Sequence, residues 1–344
     1  MGSANGEKKI RRKLDGILLL DKPVGMSSNQ ALQAARRILN AQKGGHTGTL
    51  DPLATGLLPL CFGEATKFAG ELLDADKTYS ATLKLGITTA TGDAEGRELV
   101  RREVCSSRTE VLAALAHFLG DSEQIPPMYS ALKRDGKPLY EYARAGIEIE
   151  RKPRRITIHQ LVLTDWTTDQ VSLDVTCSKG TYIRTLAEDI GERLGCGAHL
   201  IALRRIATGA MTVTSAVSLD ALQAMNASER EAVMLPLDTL VAHLPVLHLN
   251  AALRARVMHG QAFDCSDRVT NGVSPPATAT SASLARPLGS AVVFEAVALS
   301  APTGEPAPPT DPRIRLYDQD GQFLGLGMVS SDGLCQPLRL VATN

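Results

Sequence analysis

Residues 44–56, Gly-Gly-His-Thr-Gly-Thr-Leu-Asp-Pro-Leu-Ala-Thr-Gly, place four glycines and a proline around a single carboxylate, Asp51. Glycines 44, 45, 48 and 56 let backbone come close to a large ligand. Pro52 fixes its own φ and turns Asp51 toward an extended conformation. The segment reads as a device for aiming one acid. No other Asp or Glu lies between Gly44 and Gly63, so the paired carboxylates of ordinary glycoside hydrolysis are not local. A partner for Asp51 must come from elsewhere in the chain; the plain alternative is an Asp that caps a surface turn.

Around this segment the chain is long enough to build a scaffold. Its 344 residues are 44% hydrophobic, which supports a sizeable core and favours two domains over one. No apolar run approaches the ~20 residues that cross a bilayer, and the basic start, Met1 to Lys13, is not followed by a signal-type apolar stretch. A cytoplasmic, non-membrane protein is expected. Six cysteines at 61, 105, 177, 196, 265 and 335 contain no C-x-x-C pair, so they are read as reduced thiols rather than as a zinc site or a disulfide framework.

Formal charge is zero, with 37 basic and 37 acidic side chains, yet the charges are not evenly spread. Residues 8–13 carry five positive charges in six positions, and residues 133–155 carry eight Lys or Arg against four acids. Such clusters neutralise phosphates and release counterions. Within 125–155, Tyr129, Tyr140 and Tyr142 alternate with Lys133, Arg134 and Lys137, a mixture suited to stacked bases beside a phosphate backbone. The duller alternative is a turn and a helix from Pro138 with the tyrosines packed inward.

Periodicity supplies the surrounding elements. Gly16–Leu20 reads as a strand, followed by a turn and a helix that Ser27, Ser28 or Asn29 caps, with Leu32, Ala35, Ile38 and Leu39 on one face. From Lys77 to Gly86 the alternation of Tyr79, Ala81, Leu83 and Leu85 with polar neighbours predicts a half-buried strand with Tyr79 facing inward. Ser107 and Glu110 form a capping box for a scaffold helix closed by Gly120. A strand through Val171–Cys177 runs into Ser178-Lys179-Gly180-Thr181 and a helix carrying Ile183, Leu186, Ala187, Ile190 and Leu194. Arg184 falls in that helix's first turn, where the dipole already disfavours a cation. An anion is therefore expected beside it: a phosphate held with Lys179, Gly180 and Thr181, or a carboxylate. Ser218 opens a short helix. A small second domain begins near Val246, with a helix Ala251–His259, and ends in antiparallel strands over Arg313–Tyr317, Gln322–Val329 and Pro337–Val341, turning at Asp320-Gly321 and Asp332-Gly333. Residues 267–312, rich in Ala, Thr, Ser and Pro, are read as a flexible insertion in which only Ala291–Leu299 hints at a strand.

Four motifs in this order, Asp21-Lys22-Pro23 with Gly25-Met26-Ser27-Ser28, the Gly45–Pro52 loop, Lys77-Thr78-Tyr79, and Ser178-Lys179-Gly180-Thr181-Tyr182-Ile183-Arg184-Thr185, resemble the TruB family of bacterial tRNA pseudouridine synthases. The likeness spans about Gly16 to Leu240 and is weaker in the tail. It implies an α+β fold: a mixed, largely antiparallel sheet with flanking helices, plus a small β-rich, PUA-like C-terminal domain. The implied layout is a basic tail at 1–14, a catalytic domain at 15–244 with an RNA-clamping insertion at 125–155, and the PUA-like domain at 245–344, interrupted at 267–312. That interruption departs from the family pattern.

The resemblance further implies conversion of uridine 55 in the TΨC loop of tRNA to pseudouridine. Asp51, Tyr79 and Arg184 would be catalytic, with Arg184 the partner of Asp51. His46 would fill the space left by the extruded nucleotide and Leu203 would wall the pocket, while Lys22, Pro23, Thr49, Tyr182 and Lys179 would also bind substrate. The reaction exchanges one glycosidic bond for another without redox change or an energy-rich donor, so no cofactor or metal is expected, and the sequence carries no Walker loop, dinucleotide-binding turn or metal-ligand cluster. The T-arm of tRNA is the expected partner, bound by a monomer with no guide RNA. The competing possibilities are a non-catalytic tRNA-binding or tRNA-folding protein, a guide-RNA-dependent relative, and a nucleoside hydrolase. An arginine beside Asp51 is expected to lower its pKa and oppose the desolvation that raises it.

Overall fold

The computed structural model describes residues 11–265 and 312–342. Most of the basic tail and nearly all of the Ala/Ser/Pro-rich insertion, including Ala291–Leu299, lie outside the described residues.

Eight strands form the spine of an eleven-stranded sheet. They are β1 (Gly16–Lys22), β2 (Thr55–Phe62), β3 (Lys77–Leu85), β4 (Gly120–Gln124), β5 (Arg154–Trp166), β6 (Gln170–Cys177), β7 (Ala198–Thr208) and β8 (Val217–Ser218), in the spatial order β8-β1-β2-β7-β3-β6-β5-β4. Only β1/β8 and β2/β7 run parallel along this path; the other neighbours are antiparallel. The mixed, largely antiparallel α+β sheet is thus present. Its centre, β2-β7-β3-β6, carries Tyr79 on β3 and Leu203 on β7; Lys22 ends β1, and His46 lies on a short strand that pairs with β2.

Helices cover the sheet where the sequence turns amphipathic. Helix α1 (Ser28–Ile38) is capped by Ser27, with a reciprocal bond from Gln30, and buries Ala31, Leu32 and Ala35 against β1 and β2. Helix α2 (Gly70–Asp74) is a short turn leading into β3. Helix α3 (Arg108–His117) carries the expected Ser107/Glu110 capping box, and α4 (Leu139–Arg144) follows Pro138. Helix α5 (Ile183–Arg193) buries Ile183, Leu186, Ala187 and Ile190 among the residues of β3, β5 and β6. Along β3 the inward row is Lys77, Tyr79, Ala81, Leu83 and Leu85, so the apolar alternation ends in a buried lysine. Helix α6 (Leu219–Ala224) starts at Ser218 as expected. No helix among the described residues is long and apolar enough to cross a membrane.

The tail forms a separate five-stranded sheet from β9 (Val246–His248), β10 (Phe263–Asp264), β11 (Arg313–Tyr317), β12 (Phe323–Val329) and β13 (Leu334–Leu340), in the order β9-β11-β12-β13-β10. Helix α7 (Ala251–Met258) begins after Asn250, which caps it. The last strand starts at Leu334, not at Pro337. Pro337 sits inside β13 opposite Gly327 at a register shift, and β10 pairs only with Leu334 and Cys335. The missing N–H of the proline therefore falls where no ladder bond is required on its outer side. The tail sheet packs on the large one: Phe68 meets Phe323 edge to face at 5.6 Å between centroids, Arg313 pairs with Glu71 at 2.6 Å, and the Lys67 ammonium donates to the Leu340 carbonyl.

Candidate active site

The Asp51 loop hangs between β1/α1 and β2, and its shape is set by bonds from both sides. The Ser28 hydroxyl donates to the Leu50 carbonyl (3.1 Å) and accepts from the Leu50 N–H (2.8 Å); the Gly25 N–H donates to the Pro52 carbonyl (2.8 Å). The Asp21–Ser28 motif thus fixes the residues on either side of Asp51. Two glycines are required sterically. Gly48 has φ +71°, with the Arg205 guanidinium 3.1 Å from where a Cβ would stand; Gly56 has φ +96°, and a Cβ there would overlap the Arg205 carbonyl oxygen.

Arg184, placed by the first turn of α5, reaches Asp51 at 2.9 Å. The anion expected beside this cation is therefore a carboxylate. Arg184 is 6% exposed, and its guanidinium also donates to the carbonyls of Thr91 (3.0 Å) and Tyr129 (2.6 Å). On its other side stands Asp93, 3.6 Å away and buried, its carboxylate accepting from the Thr91 hydroxyl and from the Glu95 N–H. Sequence reasoning missed Asp93; within Thr91-Gly92-Asp93 nothing distinguishes it from a turn aspartate.

The Asp51 side chain remains 43% exposed, at the edge of a cavity of about 330 Å³. Burial of the remainder pushes its pKa above the ordinary value; Arg184 opposes this, and the like charge of Asp93 adds to it. The expected balance between pairing and desolvation thus tips toward desolvation: burial outweighs the Arg184 charge, and the Asp93 charge adds to it.

Thr49, Asp51, Tyr79, Tyr182, Arg184 and Leu203 all line this cavity. Tyr79 enters from β3 beside Arg205 of β7, the two being register partners. Burial raises the Tyr79 pKa and the Arg205 cation opposes that rise. Arg205 is 1% exposed and donates to the carbonyls of Leu57 (2.7 Å) and Gly48 (3.1 Å). It too went unnoticed in the sequence, although a strand's period of two puts it on the face of Leu203. Tyr129, Tyr140 and Arg144 line a second cavity of about 360 Å³, which shares Asp51 and Arg184 with the first. The helix after Pro138 is present, but its tyrosines are only half-buried and Leu139 alone is fully packed.

Four other candidate residues sit outside the first cavity. Lys22 is fully buried and donates to the carbonyls of Pro23 (2.8 Å) and Met26 (2.7 Å), so it braces the turn before α1; burial lowers its pKa to about 8 against the pull of Asp51. Pro23 belongs to that same turn. Lys179 points to the rim and pairs with Asp74 at 2.7 Å. His46 lies on the short strand Gly44–His46, its Nδ1 buried without a hydrogen-bond partner among the described residues; burial and then Arg205 lower its pKa.

Residues 36–183 match the N-terminal domain of the TruB family of pseudouridylate synthases, residues 184–242 the tRNA pseudouridylate synthase B C-terminal domain, and residues 302–341 the C-terminal region of pseudouridine synthase II TruB. A protein of Burkholderia mallei called tRNA pseudouridine synthase B is 52% identical over 336 residues, covering 98% of this chain and 97% of its own. One of the same name from Cupriavidus metallidurans is 49% identical, covering 96% and 95%. The archaeal box H/ACA Nop10–Cbf5 crystal structure superposes with a TM-score of 0.64 at 21% identity over 96% of this chain and 86% of that one, a likeness of fold. The chain belongs to the TruB family of pseudouridine synthases.

Proposed function

We propose that this protein converts uridine 55 in the TΨC loop of tRNA to pseudouridine, acting in the cytoplasm as a monomer without a guide RNA. The observation that carries the reading is the 2.9 Å contact between Asp51 and Arg184 at the edge of a base-sized cavity that also holds Tyr79. The glycosidic N1–C1′ bond of the uridine breaks, the uracil turns, C5 bonds to C1′, and the proton lost from C5 is balanced by one taken up at N1. The base is first extruded, because these atoms are inaccessible within a stacked loop. Asp51 is the ionised group that starts the exchange. Arg184 favours its charged form and aims it, while Asp93 and the Thr91 and Tyr129 carbonyls aim Arg184. Tyr79 stacks on the uracil, with Arg205 fixing the phenol, and Leu203 forms the apolar wall; Thr49 and Tyr182 complete the contact.

Outside the chemistry, Lys22 and Pro23 shape the loop rather than touch the base, and Lys179 lies where a phosphate of the bound strand passes. His46 fills the space that the extruded nucleotide leaves. The segment 125–155, with its cations and half-buried tyrosines, clamps the T-arm, which supports recognition by protein alone. The division of labour follows: a catalytic unit at 15–244 and a PUA-like unit at 245–344. The test is mass spectrometry of an unmodified tRNA transcript after pseudouridine-specific alkylation. One adduct at position 55 with the wild type and none with Asp51→Asn is expected; free uracil as product, or modification at another site, overturns the reading.

A further inference from the structure

Helix α2 ends at the mouth of the base cavity, and none of the roles assigned above uses it. Leu73, in its last turn, is 48% exposed and yet lines the cavity with Tyr79 and Leu203. Single exposed leucines are common on protein surfaces; this one stands on backbone fastened from two directions. Lys77 buries its ammonium against the end of α2 and donates to the carbonyls of Leu72 (3.1 Å), Leu73 (2.7 Å) and Ala75 (2.5 Å). These are carbonyls that a helix end leaves unsatisfied, and a cation is favourable there. Asp74 pairs with Lys179 at 2.7 Å, tying the same turn to the segment that leads into α5 and Arg184. Lys77 also shares the inward face of β3 with Tyr79, two residues on.

We propose that Leu73 is a specificity residue that packs on the extruded nucleoside at the cavity mouth, and that Lys77 is the positioning residue that holds it there. The inference rests on the cavity being the target-base site. An apolar side chain whose backbone is fixed before binding loses little freedom when it covers a ligand, so its burial converts more fully into affinity. Leu73 and Leu203 together supply apolar surface to a base whose polar edges the cavity must still bond.

The test compares Leu73→Ala, Lys77→Met and the double variant in pseudouridine formation on a tRNA transcript, with a thermal melt of each. Leu73→Ala is expected to keep the wild-type melting temperature and to raise KM about tenfold, with kcat changing much less. Lys77→Met is expected to raise KM comparably, and the double variant to be no worse than the worse single variant, since both act through one side chain. A wild-type KM for Leu73→Ala, with Leu203→Ala impaired, overturns the contact while leaving the base site standing. Additive losses in the double variant overturn the positioning role. A wild-type protein that forms no pseudouridine removes the base site itself, and the inference with it.

Discussion

The loop that carries Asp51 and the segment 125–155 face the same pair of cavities, but they are built oppositely. Around Asp51, Ser28, Arg184 and Arg205 satisfy backbone and side chain from three elements, and the two cations concerned are almost wholly buried. In 125–155, Leu139 is the one large apolar side chain that is fully packed, and Lys133, Lys137, Lys152, Arg154 and Arg155 are exposed without an ion pair to any described residue. Bond-making chemistry needs a charge fixed before the substrate arrives, because reorganisation during reaction costs rate. Phosphate recognition needs cations left in water until an anionic strand displaces their counterions. Buried, bonded cations surround the acid, and exposed cations fill the segment proposed to meet the RNA.

The largest expected effect strikes the rigid side. Asp51→Asn lowers kcat by about 10⁴-fold or more while changing tRNA affinity by less than about threefold, as single-turnover rates and filter binding will show. Equal losses in binding and rate would erase the distinction between the two regions. Arg184→Ala follows, with a fall of about 10²–10³-fold in kcat. It also leaves Asp93 buried without its cation, so the melt falls by an amount equivalent to about 1–3 kcal/mol, chiefly on account of Asp93 because Asp51 is partly solvated. On the open side, replacing Lys133, Lys137, Lys152 and Arg154 together with alanine raises KM and leaves kcat nearly intact. The same variant flattens the salt dependence of KM by up to about 0.9 log unit for each phosphate that is no longer neutralised.

Two smaller effects concern protons. The raised Asp51 pKa places the acidic limb of single-turnover activity above that of a free aspartate, and Asp93→Asn shifts the limb to lower pH by removing a like charge. Glu188, one turn beyond Arg184, is pushed up to about 7 by burial and then by Asp189, with Asp93 and Glu192 acting the same way and Arg184 against them. Its folded form holds a proton that the unfolded chain releases near 4.5. The associated stability is complete below that pH and is lost as pH rises through about 7. Glu188→Gln is therefore expected to melt higher than wild type at pH 8 and alike near pH 4.

How much of this is legible in the sequence varies with the kind of signal. Arg184 can be placed beside an anion because a cation in a first helical turn is locally unfavourable, and Asp51 stands out because glycines crowd it. The strands β3 and β6 follow from their alternation; their neighbourhood between β7 and β5 does not, because strand order is set by contacts distant in sequence. Sequence records an ammonium but not the group it turns to, so neither the bonds of Lys22 to the Pro23 and Met26 carbonyls nor the pair of Lys179 with Asp74 is legible in advance. Asp93 depends on an approach between a turn and α5 that no local pattern encodes. Arg205 is within reach of sequence reasoning, since it stands two residues from Leu203 on one strand. The start of β13 is misplaced because Pro337 looks like a beginning, whereas an unpaired edge tolerates proline within a strand.

The paired bonds between the Ser28 hydroxyl and Leu50 mean that the orientation of the acid is decided partly by a residue with no access to RNA. A substitution at that serine, silent in any survey of the cleft surface, would let the loop drift by a fraction of an ångström and weaken a reaction it never touches.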